Sequence, residues 1–268
     1  MPEGPEVKRI AVDLAECISG RHLEEVKILS GRYLKKPIEG QDQLSEALPT
    51  KVVGSGAHGK FLYILTVSGV NIWSTLGMTG RWTQTLGKHS RVRFSFSCGT
   101  HVYFDDIRNF GTLKFVRGKY QLIEKLNSLG PDMLSTDVDD VTFCERFRKH
   151  SGWEITKALM DQSIVSGVGN YIKADSLWLA RISPKRKVGS LSDEELFRLN
   201  HSIKQIMRES YQNGGASIKT YRTFDGLEGE YSTKFLVYNQ SHDPDGNPVI
   251  KETTEDNRTT HWVPNVQM

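Results

Sequence analysis

Hydrophobic periodicity turns from strand-like to helical midway along the chain, and that change limits the folds open to it. From about residue 51 to 116, apolar residues recur in short alternating runs broken by turn residues, as with Val92, Phe94 and Phe96 in RVRFSFSCG. Successive side chains of a strand face opposite sides, so such runs predict half-buried strands. KVVGSGAHGKFLYILTVSGVNIWSTLGMTGRW, RVRFSFSCGTHVYFDD and GTLKFV all have this character. From Phe143 to about Tyr211 the spacing becomes helical, with WEITKALMDQ and NYIKADSLWLARI on either side of the Gly-rich SIVSGVG. Ser192, followed three residues later by Glu195, predicts a capping box at the start of a further helix. The polar stretch GPDMLSTDVDDV lies between the two patterns and marks a domain boundary.

The expected fold class is therefore α+β. A leading helix over residues 1–20 carries the stripe Val7, Ile10, Ala11, Leu14 and Ile18 and ends at Gly20. A β-sandwich domain is expected over 1–135, a helical domain over 136–231 and a β-hairpin over 232–268, with DPDGNP as its turn. NGGASIKTYRTFDGLEGEYS predicts a long polar loop, a kind of segment that often carries function.

With 268 residues the chain can form two ordinary domains, and it has no apolar run long enough to span a bilayer. Its charged, amphipathic start is unlike a signal peptide. Cys17, Cys98 and Cys144 are scattered, with no C-x-x-C pair, as in reduced thiols of an intracellular protein. A net charge of +3 permits a nucleic-acid partner without requiring one.

The first residues, MPEGPEV, taken alone read as a helix start, since Pro and acids both suit a first turn. Other stretches give them a second meaning. In order along the chain come MPEGPEV, Gly59–Lys60, LGMTG, DDIRNFG, LGPDMLS, MDQSIVSGVGNYIKAD, ISP, LSDEE, NGG and RTTHWVPNVQ. Together they resemble the formamidopyrimidine-DNA glycosylase / endonuclease VIII family of base-excision repair enzymes. The likeness covers nearly the whole chain. It implies that SIVSGVGN is the turn of a helix–two-turn–helix element and that DNA binds in a cleft between the domains.

The resemblance also implies a mechanism. Removal of Met1 would leave Pro2 with a free secondary amine. An α-amine titrates near pH ~8, so a neutral, nucleophilic fraction exists at physiological pH. Attack on C1′ of the deoxyribose would expel the damaged base and leave an iminium, an electron sink for β- and then δ-elimination. Glu3 would be the general acid–base, Lys60 would reach the lesion's sugar or phosphate, and Glu6 would support the N-terminal turn. Asn170 would cap the second helix of the element and bind a phosphate. Met78, Arg108 and Phe110 would fill the hole left by the flipped nucleotide, although a core position is the competing reading for a phenylalanine. Arg258 would contact the phosphate flanking the lesion.

Three departures stand out. Zinc-finger relatives carry a C-x-x-C early in the hairpin and another after its aromatic residue. Here the second place is Val263-Pro264-Asn265-Val266 and no cysteine follows DGNP, so the hairpin is expected to be a zincless finger, as in some endonuclease VIII-like members, with no metal or other cofactor. Asp175 stands where the family usually has Glu, supporting the active site one methylene short. Asn109 stands where many relatives have a second arginine. The expected partner is damaged DNA, with duplex and single strand both left open, bound by a monomer in an intracellular, DNA-containing compartment such as the nucleus. Oxidised pyrimidines and ring-opened purines are the expected lesions. The rival readings are a non-catalytic damaged-DNA-binding protein that keeps the fold and a small-molecule tautomerase using the same proline.

Overall fold

The computed structural model describes residues 2–216, 224 and 229–268. The predicted loop NGGASIKTYRTFDGLEGEYS falls mostly outside them. The chain divides into two compact units. The first takes in Pro2, residues 6–127 and the described part of 214–229; the second takes in residues 3–5, 128–213 and 230–268.

Helix α1, Gly4–Ile18, opens the chain, and all five residues of its predicted stripe are buried. Strand β1 (His22–Ile28) follows, then α2 (Gln41–Ala47), β2 (Thr50–His58), β3 (Phe61–Thr66), β4 (Val70–Thr75), β5 (Gly80–Thr83), β6 (Ser90–Phe96), β7 (His101–Asp106), β8 (Thr112–Arg117) and α3 (Lys119–Asn127). The strand order is β5-β7-β6-β1-β2-β3-β4-β8, antiparallel throughout. Only two residue pairs join β1 to β2, His22 with Lys51 and Leu23 with Thr50. The sheet thus divides there into two four-stranded halves.

Their inner faces share one core. Leu23, Trp82, Val92, Phe94 and Phe104 from one half meet Leu62, Ile64, Ile72 and Phe115 from the other. Phe94 and Phe115 touch edge to face across the layers, ring centroids 6.5 Å apart. This is the expected sandwich. The short helices α2 and α3 have little apolar signal; Leu44 is the one buried residue of α2 and Leu122 that of α3.

The second unit holds α4 (Asp140–Arg148), α5 (Ile155–Met160), α6 (Asn170–Leu179) and α7 (Asp193–Gln212), then β9 (Ile250–Thr253) paired with β10 (Thr259–Trp262). The capping box at Ser192 and Glu195 is present. DPDGNP is not the hairpin turn. Asp243 closes it as a separate turn, its backbone N–H donating to Asn247 O and its carboxylate accepting from the Asn247 N–H, ahead of the paired strands. The turn between β9 and β10 is Thr254–Arg258, where Asn257 takes a φ of +56°. Asn tolerates that left-handed conformation better than most residues, while Pro248, which ends DPDGNP, has no N–H and forms only an isolated bridge with His242.

Candidate active site and nucleic-acid interface

Pro2 is buried, and Glu3 after it is 2% exposed. The Glu3 carboxylate accepts hydrogen bonds from the backbone N–H of Tyr171 at 3.0 Å and Ile172 at 3.4 Å, the first turn of α6. Those donors have no partner inside their own helix, and a negative charge is favoured at that end. Gly169 makes the approach possible, because a Cβ there would run into the carboxylate. Gly4 adds a bond from its N–H to Gly167 O at 2.9 Å. Glu3 and Gly4 are therefore fastened to α6 and the SIVSGVG turn before it.

This corrects the expected role of Asn170 as helix cap. Gly169 occupies the N-cap position, and Glu3 supplies the acceptor a capping side chain would have provided. The Asn170 amide instead donates to Thr259 O at 2.9 Å. It thereby links α6 to the strand that follows Arg258.

Glu6, in the first turn of α1, reaches beyond that turn: its Oε1 accepts from the Ala216 N–H at 2.8 Å. Asp175 is fully buried on α6, and its carboxylate accepts from the N–H groups of Leu236, Val237 and Tyr238 at 2.9–3.1 Å. Burial pushes its carboxyl up to about 6 against the pull of those three donors. The shorter side chain therefore reaches three donors and holds the segment leading into the hairpin. Lys60 sits, half-buried, in the β2–β3 turn after Gly59.

Met78, Arg108 and Phe110 come together in the first unit. Met78 is 40% and Phe110 53% exposed, so Phe110 is not a core residue. The Arg108 guanidinium lies 4.5 Å from the Phe110 ring centroid and donates to Met78 Sδ at 3.1 Å. Gly77, at φ +55°, lets its turn press on the neighbouring loop, since a Cβ there would lie 2.7 Å from the Phe110 carbonyl carbon. Asn109 has φ +56°, a conformation that suits Asn better than the arginine it replaces.

Asp106, within DDIRNFG, is a functional residue that no motif marks. It is 1% exposed and binds both loops. Its Oδ1 accepts from the Thr79 hydroxyl and the Arg108 N–H, and its Oδ2 from the Gly111 N–H at 2.7 Å. The Thr79 hydroxyl in turn accepts from the Arg108 N–H at 3.0 Å. An acid just before a turn was the available signal.

The hairpin has no donor set for zinc. The stretches corresponding to the metal-binding pairs of zinc-finger relatives place Val249, Val263 and Val266 in one apolar cluster with Ala174, Val237, Trp178 and Tyr238. No three His, Cys, Asp or Glu side chains among the described residues are grouped to hold a metal. Thiolate ligation is excluded by composition here, since Cys17, Cys98 and Cys144 all lie outside the hairpin.

Three formamidopyrimidine-DNA glycosylase domain models match the sequence: the N-terminal domain over residues 1–113, the H2TH domain over 129–222 and the C-terminal domain over 228–268. The chain belongs to the formamidopyrimidine-DNA glycosylase family. The formamidopyrimidine-DNA glycosylase of Listeria monocytogenes serotype 4b is 31% identical over 281 residues, covering all of both chains. That of Halalkalibacterium halodurans is 32% identical over 272 residues, covering 98% of each. Among solved structures, the MutM (Fpg) protein of Thermus thermophilus superposes with a TM-score of 0.88 at 31% identity, covering 99% of this chain and 98% of that one. A Lactococcus lactis Fpg mutant in complex with Fapy-dG-containing DNA gives 0.89 at 26% identity over all of both chains. As a member of the formamidopyrimidine-DNA glycosylase family, the chain is a DNA glycosylase of base excision repair with abasic-site lyase activity.

Proposed function

We propose that this glycosylase removes ring-opened purines and oxidised pyrimidines from DNA through a covalent Pro2–sugar intermediate. After loss of Met1, the Pro2 nitrogen lone pair forms a bond to C1′ as the glycosidic bond breaks and its electrons leave with the base. The nitrogen sheds its proton to Glu3, which passes it to the departing base. Opening of the sugar ring leaves C1′ doubly bonded to the cationic nitrogen. That iminium acidifies C2′–H, and loss of this proton expels the 3′ phosphate; δ-elimination then releases the 5′ phosphate, and water frees Pro2.

The observation that carries this reading is the seat of Glu3 on the first turn of α6, because it fixes the residue next to the nucleophile. Two backbone donors occupy lone pairs of its carboxylate and leave it an acceptor, the form that takes a proton from Pro2. Met78, Arg108 and Phe110 support base extrusion, as an exposed apolar, cationic and aromatic group on adjoining loops. Lys60, Asn170, Tyr238 and Arg258 are the proposed phosphate and sugar ligands, and Glu6 and Asp175 hold the segments next to them. Solved relatives bound to Fapy-dG DNA and to abasic-site DNA support damaged DNA as the partner. No helix among the described residues is long and apolar enough to cross a membrane. The site of action proposed is wherever the cell keeps its DNA.

Borohydride reduction on an abasic duplex tests the intermediate. A stable protein–DNA adduct is expected from the wild type, with the sugar joined to Pro2; Pro2→Ala, whose primary α-amine can still condense with the abasic aldehyde, should form far less of it. Tight binding to the lesion with no adduct would favour the non-catalytic damage-binding reading.

A further inference from the structure

The proposed mechanism leaves one buried charge pair unused. Lys173, on α6, has a fully buried side chain, and its Nζ donates to Asp256 Oδ2 at 2.6 Å; the Asp256 side chain is 3% exposed. Burial lowers the Lys173 pKa, while Asp256 raises it and so opposes the shift. Two charges taken out of water at this depth are costly unless geometry and further hydrogen bonds compensate. Asp256 has those bonds. Its Oδ1 accepts from the Thr254 hydroxyl at 2.6 Å and, more weakly, from the Arg258 N–H at 3.4 Å.

The turn containing Asp256 is pinned twice more. Glu255 accepts from the Glu154 N–H at 2.8 Å and pairs with Lys157 and Lys187, while its own N–H donates to Glu154 Oε2 at 2.9 Å. Asn170 holds the carbonyl of Thr259. The Arg258 guanidinium projects exposed from this pinned turn, and no ion pair to it occurs among the described residues, although Asp256 lies two positions away. The nearby carboxylate is spoken for by Lys173.

We propose that Lys173 is a positioning residue for Arg258: by neutralising Asp256 it lets that carboxylate order the hairpin turn without capturing the arginine, which stays available to a DNA phosphate. The role rests on Arg258 as a phosphate ligand. It also assigns to an ion pair, in a hairpin with no metal donor set, the fixing of the turn that presents the arginine.

Binding to a duplex containing a tetrahydrofuran abasic analogue, measured across a salt series, tests this. Lys173→Met leaves Asp256 buried beside Arg258 with no other cation. It should weaken binding by about tenfold and shallow the salt slope by about one unit, as loss of one phosphate contact does. In an Arg258→Ala background, Lys173→Met should weaken binding by less than about twofold, although its effect on thermal stability persists. The double variant Lys173→Met/Asp256→Asn removes both buried charges, so it folds even where the single variant does not, and it should keep the wild-type salt slope. Equal loss of binding in both backgrounds, no loss in the wild-type background, or a double variant with the shallow slope would each overturn the positioning role. Arg258→Ala measured alone separates the two layers. Unchanged binding and slope in that variant would overturn the phosphate reading of Arg258, and this inference with it.

Discussion

The loops of the first unit that carry Met78, Arg108 and Phe110 and the hairpin turn that carries Arg258 solve one problem by different chemistry. Each presents an exposed arginine two residues beyond a buried aspartate that orders the turn. Asp106 is met by neutral donors, two backbone N–H groups and the Thr79 hydroxyl. Asp256 is met by the charge of Lys173. Neutral donors aimed from the backbone hold a fixed shape and are nearly indifferent to salt. A charge pair also decides which other cation is left free. The first arrangement suits a rigid wedge, where shape does the work, and the second suits a phosphate contact, where charge does.

The largest effect that could break this comparison is expected from Asp106→Ala. It would leave the buried Gly111 N–H and the Thr79 hydroxyl without their acceptor and the Arg108 N–H with the Thr79 hydroxyl alone, at a cost of about 3 kcal/mol in chemical denaturation. Asp106→Ala should also abolish preference for lesion over undamaged duplex. A loss below about 1 kcal/mol would show that the loops are held by something else. Next comes Phe110→Ala, expected to cost about 2 kcal/mol of binding to lesion duplex and almost nothing on undamaged DNA, measured by fluorescence titration. Equal losses on the two duplexes would make Phe110 a general DNA contact. Arg258→Ala should weaken both duplexes alike, by about 1.4 kcal/mol or tenfold, with the salt slope shallower by about one unit. An arginine acting in the wedge would show the opposite pattern.

The last test concerns pH and sharpens the contrast from the hairpin side. Burial, with Lys251 and Lys173 nearby, holds the buried His261 imidazole down to about 4 from an unfolded value of 6.5. The unfolded chain therefore binds this proton first as pH falls. The stability contributed by the neutral ring is complete above about 6.5 and is lost on the way down to about 4. His261→Phe keeps an aromatic ring against Tyr238, whose ring lies 5.0 Å away, and removes the titration. The stability advantage of wild type over this variant should shrink between those pH values in thermal melts. A difference that stays constant with pH would mean His261 titrates alike folded and unfolded.

Much of the fold was legible because it is written in local periods. The stripe of α1, the alternation of β6 and the capping box of α7 each depend on residues within one turn or one strand, and each was found where expected. DPDGNP misled because turn chemistry shows that a turn forms there, not which strands it joins. Asn257, one residue before Arg258, offered the better signal for the hairpin turn. Exposed Met78 was legible through its setting between the glycines of a turn, and Phe110 only through the family resemblance.

By itself, the sequence determined the two periodicities, the absence of thiolates from the hairpin and the residue types that the proposed chemistry needs, with Pro2 and Glu3 side by side. Tertiary structure alone decided where each buried carboxylate finds its donors. Glu3 meets Tyr171 across 168 positions, Asp175 meets Tyr238 across 63 and Lys173 meets Asp256 across 83. A buried carboxylate must satisfy its lone pairs or stay out of the interior, but any N–H or ammonium group brought within reach will serve. No local pattern selects among them, and the choice is made only when the chain has closed.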